Sequence, residues 1–260
     1  MVLKRFFGRT VKAPSATSVP AGIRAYAIGD VHGRLDLLDQ LMAAIDADTA
    51  ARGPAETHLV FLGDLIDRGA NSAGVVERVR LLAATRPNVT VLAGNHEEVF
   101  LRVLGGDAKS LRFFTRIGGH ETILSYGVDR SAYDRADYAE LHDLVAERVP
   151  IEHVAFLKGM REWVTIGDYL FVHAGIRPGI AIEEQDPTDL RWIRGDFLGS
   201  RVDHGVVVVH GHTPMESVDW QDNRIGIDTG AWETGRLTAL GLEGNDRWLI
   251  DTGGANAAAV

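Results

Sequence analysis

Five short apolar runs punctuate this chain, and each stops at residues with metal-ligating chemistry. Ala27-Ile28 precedes Gly29-Asp30-Val31-His32-Gly33, Val60-Phe61-Leu62 precedes Gly63-Asp64, and Val91-Leu92-Ala93 precedes Gly94-Asn95-His96-Glu97. Leu170-Phe171-Val172 leads into His173, and Val206 through Val209 leads into His210-Gly211-His212. Between the first runs, Leu35, Leu38, Leu41 or Met42 and Ile45 recur at helical spacing, as do Val75, Val79 and Leu82. Strand–helix–strand alternation predicts an α/β fold with parallel pairing in its sheet. Ligands of such sheets collect just past the carboxyl ends of the strands, where Asp30, Asp64, Asn95, His173 and His212 fall.

The rhythm breaks between residues 107 and 161. Leu111, Phe113, Phe114 and Ile117, then Tyr138, Leu141, Leu144 and Val145, predict helices covering one end of the sheet, with Gly118-Gly119 as a turn between them. Phe113 and Phe114 are both expected in the core. Beyond Gly205, the runs 224–227, 237–240 and 247–250 read as short strands separated by glycine turns, and suggest a second sheet packed on the first. One domain spanning 23–252 is therefore expected, with a helical insert at 107–161, a basic flexible segment at 1–22 and a flexible tail at 253–260.

Composition narrows the class. With 45% hydrophobic and 24% charged residues in 260, the chain suits one large globular domain. It has no apolar run near membrane-spanning length, and its start lacks the core of a secretory signal. The absence of cysteine excludes disulfides, zinc fingers and a cysteine nucleophile. These features read as a cytoplasmic protein. A net charge of −9 argues against a nucleic-acid binder. The charge is uneven, because residues 1–24 carry Lys4, Arg5, Arg9, Lys12 and Arg24 and no acid.

The candidate ligands are carboxylate, amide and imidazole, a donor set for divalent cations. Asp30 and His32, two residues apart at a strand end, are placed to face one ion. Asp64 is placed to bridge two, with Asn95, His173 and His212 completing the second. Two ions about 3.5–4 Å apart form the arrangement used for in-line displacement at phosphorus by an attacking hydroxide. Arg68, in Asp67-Arg68-Gly69, offers a planar fork for phosphate oxygens. His96 directly follows a ligand and is placed to protonate a leaving oxygen, with Asp67 accepting its other N–H. Arg194 is the candidate for a second phosphate arginine, with Arg191 and Arg177 as competitors. Asp228 either braces the site or marks a plain turn. His120, His142 and His153 fall in the insert, where packing or solvent roles are expected.

Asp30-Val-His32-Gly, Gly63-Asp64-Leu-Ile-Asp67-Arg68-Gly and Gly94-Asn95-His96-Glu97 resemble the signature motifs of metal-dependent serine/threonine phosphoprotein phosphatases. More broadly, they resemble the calcineurin-like metallophosphoesterases. His173-Ala and Gly211-His212-Thr fit the same pattern, which selects His212 over His210 as the ligand. The resemblance runs from about residue 24 to 240. It implies an α/β/β/α sandwich of two mixed sheets and a dinuclear site, often active with Mn²⁺, although Fe and Zn²⁺ suit the same donors. The implied substrate is a phosphoprotein or phosphopeptide. The compact length looks like the bacterial and phage branch, and Ala70 departs from the proline that many relatives carry. The rival within the superfamily is the symmetrical diadenosine tetraphosphate hydrolase. Asp67, Arg68 and Glu97 favour the phosphoprotein branch over it.

Overall fold

A computed structural model describes residues 17–253. Its core is two five-stranded mixed sheets. The first contains β1 (Ile23–Ile28), β2 (Glu56–Phe61) and β3 (Val89–Val91), connected through α1 (Leu35–Arg52) and α2 (Ser72–Thr85). These three strands are parallel, in the order β1-β2-β3. The helix α3 (Asn95–Leu104) starts directly after β3.

The insert follows as α4 (Ala108–Arg116), α5 (Gly119–Ser125), α6 (Arg130–Arg135), α7 (Tyr138–Arg148) and α8 (Ile151–Lys158). It packs on α3 and α2, so it covers helices and not the sheet end itself. Phe114 stacks on Phe100 at 5.1 Å, and Tyr126 on Phe100 at 5.9 Å. Phe113 departs from expectation. It is 43% exposed, because it lies about 100° around α4 from its buried neighbour Phe114.

The second sheet contains β4 (Trp163–Ile166), β5 (Tyr169–Val172), β6 (Val207–His210), β7 (Asp219–Trp220) and β8 (Arg224–Gly226), with β5, β6 and β8 parallel. Between β5 and β6 the chain forms α9 (Pro187–Trp192) and α10 (Gly195–Leu198). After β8 come α11 (Ala231–Thr234), β9 (Thr238–Glu243) and β10 (Asp246–Asp251). The last two strands correct the sequence reading. They return to the first sheet, where β9 pairs antiparallel with β1 and β10 with β9. The free edge of β1 takes the hairpin, whose two-residue loop has Gly244 at φ 55°.

Alternation explains why the strands read as nearly continuous apolar runs. On β1, Ala25 and Ala27 face the second sheet and join Phe171, Val209 and Ile225 in one core. Tyr26 and Ile28 face outward against α1 and α2. Leu170, Val172 and Val208 pack under Leu190 and Phe197 on the far side of the second sheet. The layers are helix, sheet, sheet, helix, so every central strand is buried on both faces.

Of the expected flexible segments, residues 1–16 and 254–260 lie outside the described residues. Residues 17–22 run along the body, with Val19 buried and its N–H donating to Gly244 O at 2.8 Å. Among the described residues, no helix is long and apolar enough to cross a membrane.

Candidate metal centre

Each sheet presents the carboxyl ends of three parallel strands to one edge of the sandwich. Asp30 follows β1, Asp64 follows β2 and Asn95 follows β3. From the other sheet, His173 follows β5, His212 lies two residues beyond β6, and Asp228 lies two residues beyond β8. All six side chains are buried. Two groups of donor atoms result, each within 4.8 Å: His32, Asp64 and His96, and Asp64, His173 and His212. Asp64 belongs to both, whereas Asp30, expected to share an ion with His32, belongs to neither. Asp64 Oδ2 lies 3.8 Å from Nε2 of His32 and of His96, and 3.4 Å from Nε2 of His173. Asn95 joins the second group, with Oδ1 3.0 Å from His173 Nε2. Asp30 stands over His212, accepting its backbone N–H at 2.9 Å. His210 joins neither group. Its ring packs edge-on to Phe197 at 5.1 Å, on the outer side of the sheet.

Imidazole orientation is set from behind. His32 Nδ1 donates to Ile66 O at 2.8 Å and His173 Nδ1 to Leu62 O at 2.7 Å, which directs both Nε2 lone pairs into the basin. Asp30 Oδ1 and His212 Nε2 are buried without a hydrogen-bond partner. An unpaired buried acceptor is costly unless a ligand satisfies it. Nitrogen and oxygen donors, two groups sharing one carboxylate, and a buried Asp30 oxygen left unpaired together fit a pair of divalent cations.

The electrostatics agree. Burial disfavours charge on Asp64, yet His173, His96 and His32 hold its carboxyl well below the usual range. Burial opposes a proton on His173, but Asp64 overcomes it and pushes the imidazole up to about 10. Burial drives His32 down to about 3 and, with His173, His212 down to about 2. Burial and Asp228 raise Asp30 well above its ordinary value. Such a cluster holds protons that a cation displaces on binding.

His96 and Asp67 form the expected pair, with Nδ1 and Oδ2 2.5 Å apart. Asp67 is itself held by the Thr122 hydroxyl on the insert, which donates to Oδ1 at 2.5 Å. Arg68 brings Nη2 within 3.4 Å of His96 Nε2. Among the three candidate arginines the structure discriminates. Arg177 pairs with Asp189 and Asp196, and Arg191 with Glu162 and Glu98. Arg194 is exposed, makes no ion pair among the described residues, and lies close enough to depress His212.

Sequence reasoning missed Glu97 as an organiser. As the third residue of α3, it turns back so that its carboxylate accepts N–H bonds from Gly94 and Asp64 at 3.0 Å and Leu65 at 2.8 Å. The spacing from Gly94 to Glu97 is the capping-box signal. Glu97→Gln is expected to weaken metal binding about 10–100-fold, as loss of support behind a ligand does. Metal titration followed by thermal unfolding checks this, and unchanged affinity would reduce Glu97 to a helix cap. Thr122 carried no sequence signal, since it lies 55 residues from Asp67. Asp228 proves buried behind Asp30, its Oδ1 accepting Gly230 N–H at 2.9 Å. Two glycines are required by close approach: a Cβ at Gly211 would sit 2.0 Å from Asp30 Oδ1, and one at Gly94 2.2 Å from Asp64 Oδ1.

Residues 23–249 match the model of the calcineurin-like phosphoesterase family. The chain is 25% identical over 232 residues to the asymmetrical bis(5'-nucleosyl)-tetraphosphatase PrpE of Anoxybacillus flavithermus, covering 82% of this chain and 88% of that one. The protein of the same name from Bacillus cereus is 27% identical over 230 residues, with the same coverage. In fold, the chain is similar to a cold-active protein tyrosine phosphatase, with TM-score 0.61, 20% identity, and coverage of 89% of this chain and 78% of that one. It is also similar to a protein serine/threonine phosphatase of Saccharomyces cerevisiae, with TM-score 0.53, 13% identity, and coverage of 92% and 82%.

Proposed function

The chain belongs to the calcineurin-like phosphoesterase family, and from that premise we propose that it is a divalent-metal-dependent hydrolase of bis(5'-nucleosyl) polyphosphates. The observation that carries the hydrolase reading is Asp64, whose one buried carboxylate is shared by two imidazole groups. The nucleotide reading draws support from the names of the curated relatives, which set it above the phosphoprotein substrate expected from the motifs.

Asp30, His32, Asp64, Asn95, His173 and His212 would hold two divalent cations, with Mn²⁺ the expected occupant. Bound there, divalent cations supply Lewis-acid charge and lower the pKa of water toward neutrality. The rest belongs to the chain's own residues. Arg68 presents two parallel N–H donors to the phosphate, with Arg194 reaching in from beside His212. His96 delivers a proton from Nε2 to the departing oxygen, while Asp67 holds Nδ1–H and keeps the ring turned toward the basin. Thr122 and Glu97 fix the two turns that place these groups.

Metal-stripped protein refilled with Mn²⁺ would be offered diadenosine tetraphosphate and a phosphoserine peptide in parallel. A kcat/KM at least about tenfold higher for the dinucleotide is expected, a difference of about 1.4 kcal/mol in transition-state binding. Preference for the peptide would overturn the substrate and restore the phosphoprotein reading that Asp67 and Arg68 favour.

A further inference from the structure

Two partly exposed aromatic rings lie near the basin, Phe113 by way of Trp192 and Trp232 directly against Arg68. Phe113, 43% exposed on α4, lies 6.2 Å from Trp192 at the end of α9. Trp192 in turn meets the His212 ring edge-on at 6.4 Å. The Trp192 indole is fixed, because its Nε1 donates to Glu98 Oε2 at 3.0 Å, and Arg191 holds Glu98 from 3.3 Å. Trp232 is 40% exposed on α11. Its ring centre is 5.4 Å from the Arg68 guanidinium, which reaches on to His96. The turn bearing Trp232 is anchored by Arg34, whose Nη1 donates to Ala231 O at 3.1 Å.

We propose that Phe113 and Trp232 are separate stacking surfaces for the two bases of a dinucleoside polyphosphate, the first on the far side of Trp192 from His212 and the second beside Arg68. This rests on the nucleotide reading above and names the residues that would select such a substrate. A phosphate chain lying across Arg68 and the metal ligands would carry its two nucleosides outward at its ends, toward these two rings. Every base offers a π-face, so a fixed aromatic ring takes it without hydrogen-bond readout. A phosphoserine or phosphothreonine side chain carries no ring to occupy either surface. The two rings also differ in setting. Phe113 leans on another ring, whereas Trp232 carries the Arg68 guanidinium over one of its faces.

The test isolates the base from the phosphate. AMP and ribose 5-phosphate would be compared as competitive inhibitors of the Mn²⁺-loaded enzyme, from initial rates on p-nitrophenyl phosphate. In the wild type, AMP is expected to bind at least about fivefold more tightly than ribose 5-phosphate, the low end of single-base stacking. In the double variant Phe113→Ala/Trp232→Ala that ratio should fall toward one, and Phe113→Tyr/Trp232→Phe should restore it. General damage to the fold would change both inhibition constants and leave their ratio intact. For diadenosine tetraphosphate, each single alanine variant should raise KM more than it lowers kcat, and the two increases should multiply. A ratio near one in the wild type, or one that survives in the double alanine variant, overturns the proposal. Failure to hydrolyse the dinucleotide while the ratio stays ring-dependent would sink the substrate reading and leave both surfaces standing.

Discussion

Asp64→Asn is expected to abolish metal binding and to reduce turnover by about 10³-fold or more. The magnitude follows from the several kcal/mol of transition-state charge that a metal pair supplies, at 1.36 kcal/mol per decade of rate. No other side chain belongs to both donor groups, so its loss removes a ligand from each. Asparagine keeps the shape and an oxygen for the His96 N–H, which Asp64 Oδ1 accepts at 3.2 Å. It also suits the backbone, because Asp64 sits at φ 49°, a left-handed conformation that asparagine tolerates well. The variant should therefore fold. Metal content by atomic spectroscopy should fall to background, and Mn²⁺ should no longer raise the melting temperature, as it must when it binds only the native state. Near-normal turnover with full metal content would sink the dinuclear assignment.

The ligands were legible because their chemistry is local. Apolar runs that stop at Asp, Asn or His mark strand ends, and strand ends of an α/β sheet converge on one edge. The backbone that aims them was not. Six non-glycine residues among those described have positive φ, and five of them are His32, Asp64, Asp67, Arg68 and His212. Such conformations cost about 1–3 kcal/mol each and persist only where the surroundings impose them. Here those surroundings include Glu97 and Thr122, which close on the same turns from 33 and 55 residues away. Strand pairing was half legible for a related reason. The runs at 237–240 and 247–250 declare strands, but the sheet they join depends on which edge is open, and the free edge of β1 is a property of the assembled sheet. Phe113 and Phe114 show the same limit within a single helix. Two adjacent phenylalanines read alike, and only the position of Phe100 decides which is core.

His96→Asn is expected to slow turnover by roughly 10²–10⁴-fold while leaving both cations bound, the range for loss of a general acid. The structure makes this a sharp test, because His96 Nε2 faces the same Asp64 oxygen as His32 Nε2, at the same 3.8 Å. Geometry alone thus admits ligation, whereas the 2.5 Å contact with Asp67 argues for a held proton. Burial lowers the affinity of His96 for that proton, but Asp64 and Asp67 outweigh burial and raise it above its ordinary value. Asp67→Asn removes one of the two carboxylates. The imidazolium should then deprotonate at lower pH, and the alkaline limb of the kcat profile should move down with it, since the acid is active only while protonated. In His96→Asn that limb should vanish, because no titrating acid remains. Full metal content with a flattened alkaline limb would establish His96 as the proton donor. Loss of one metal equivalent would make it a ligand and pass the proton to solvent.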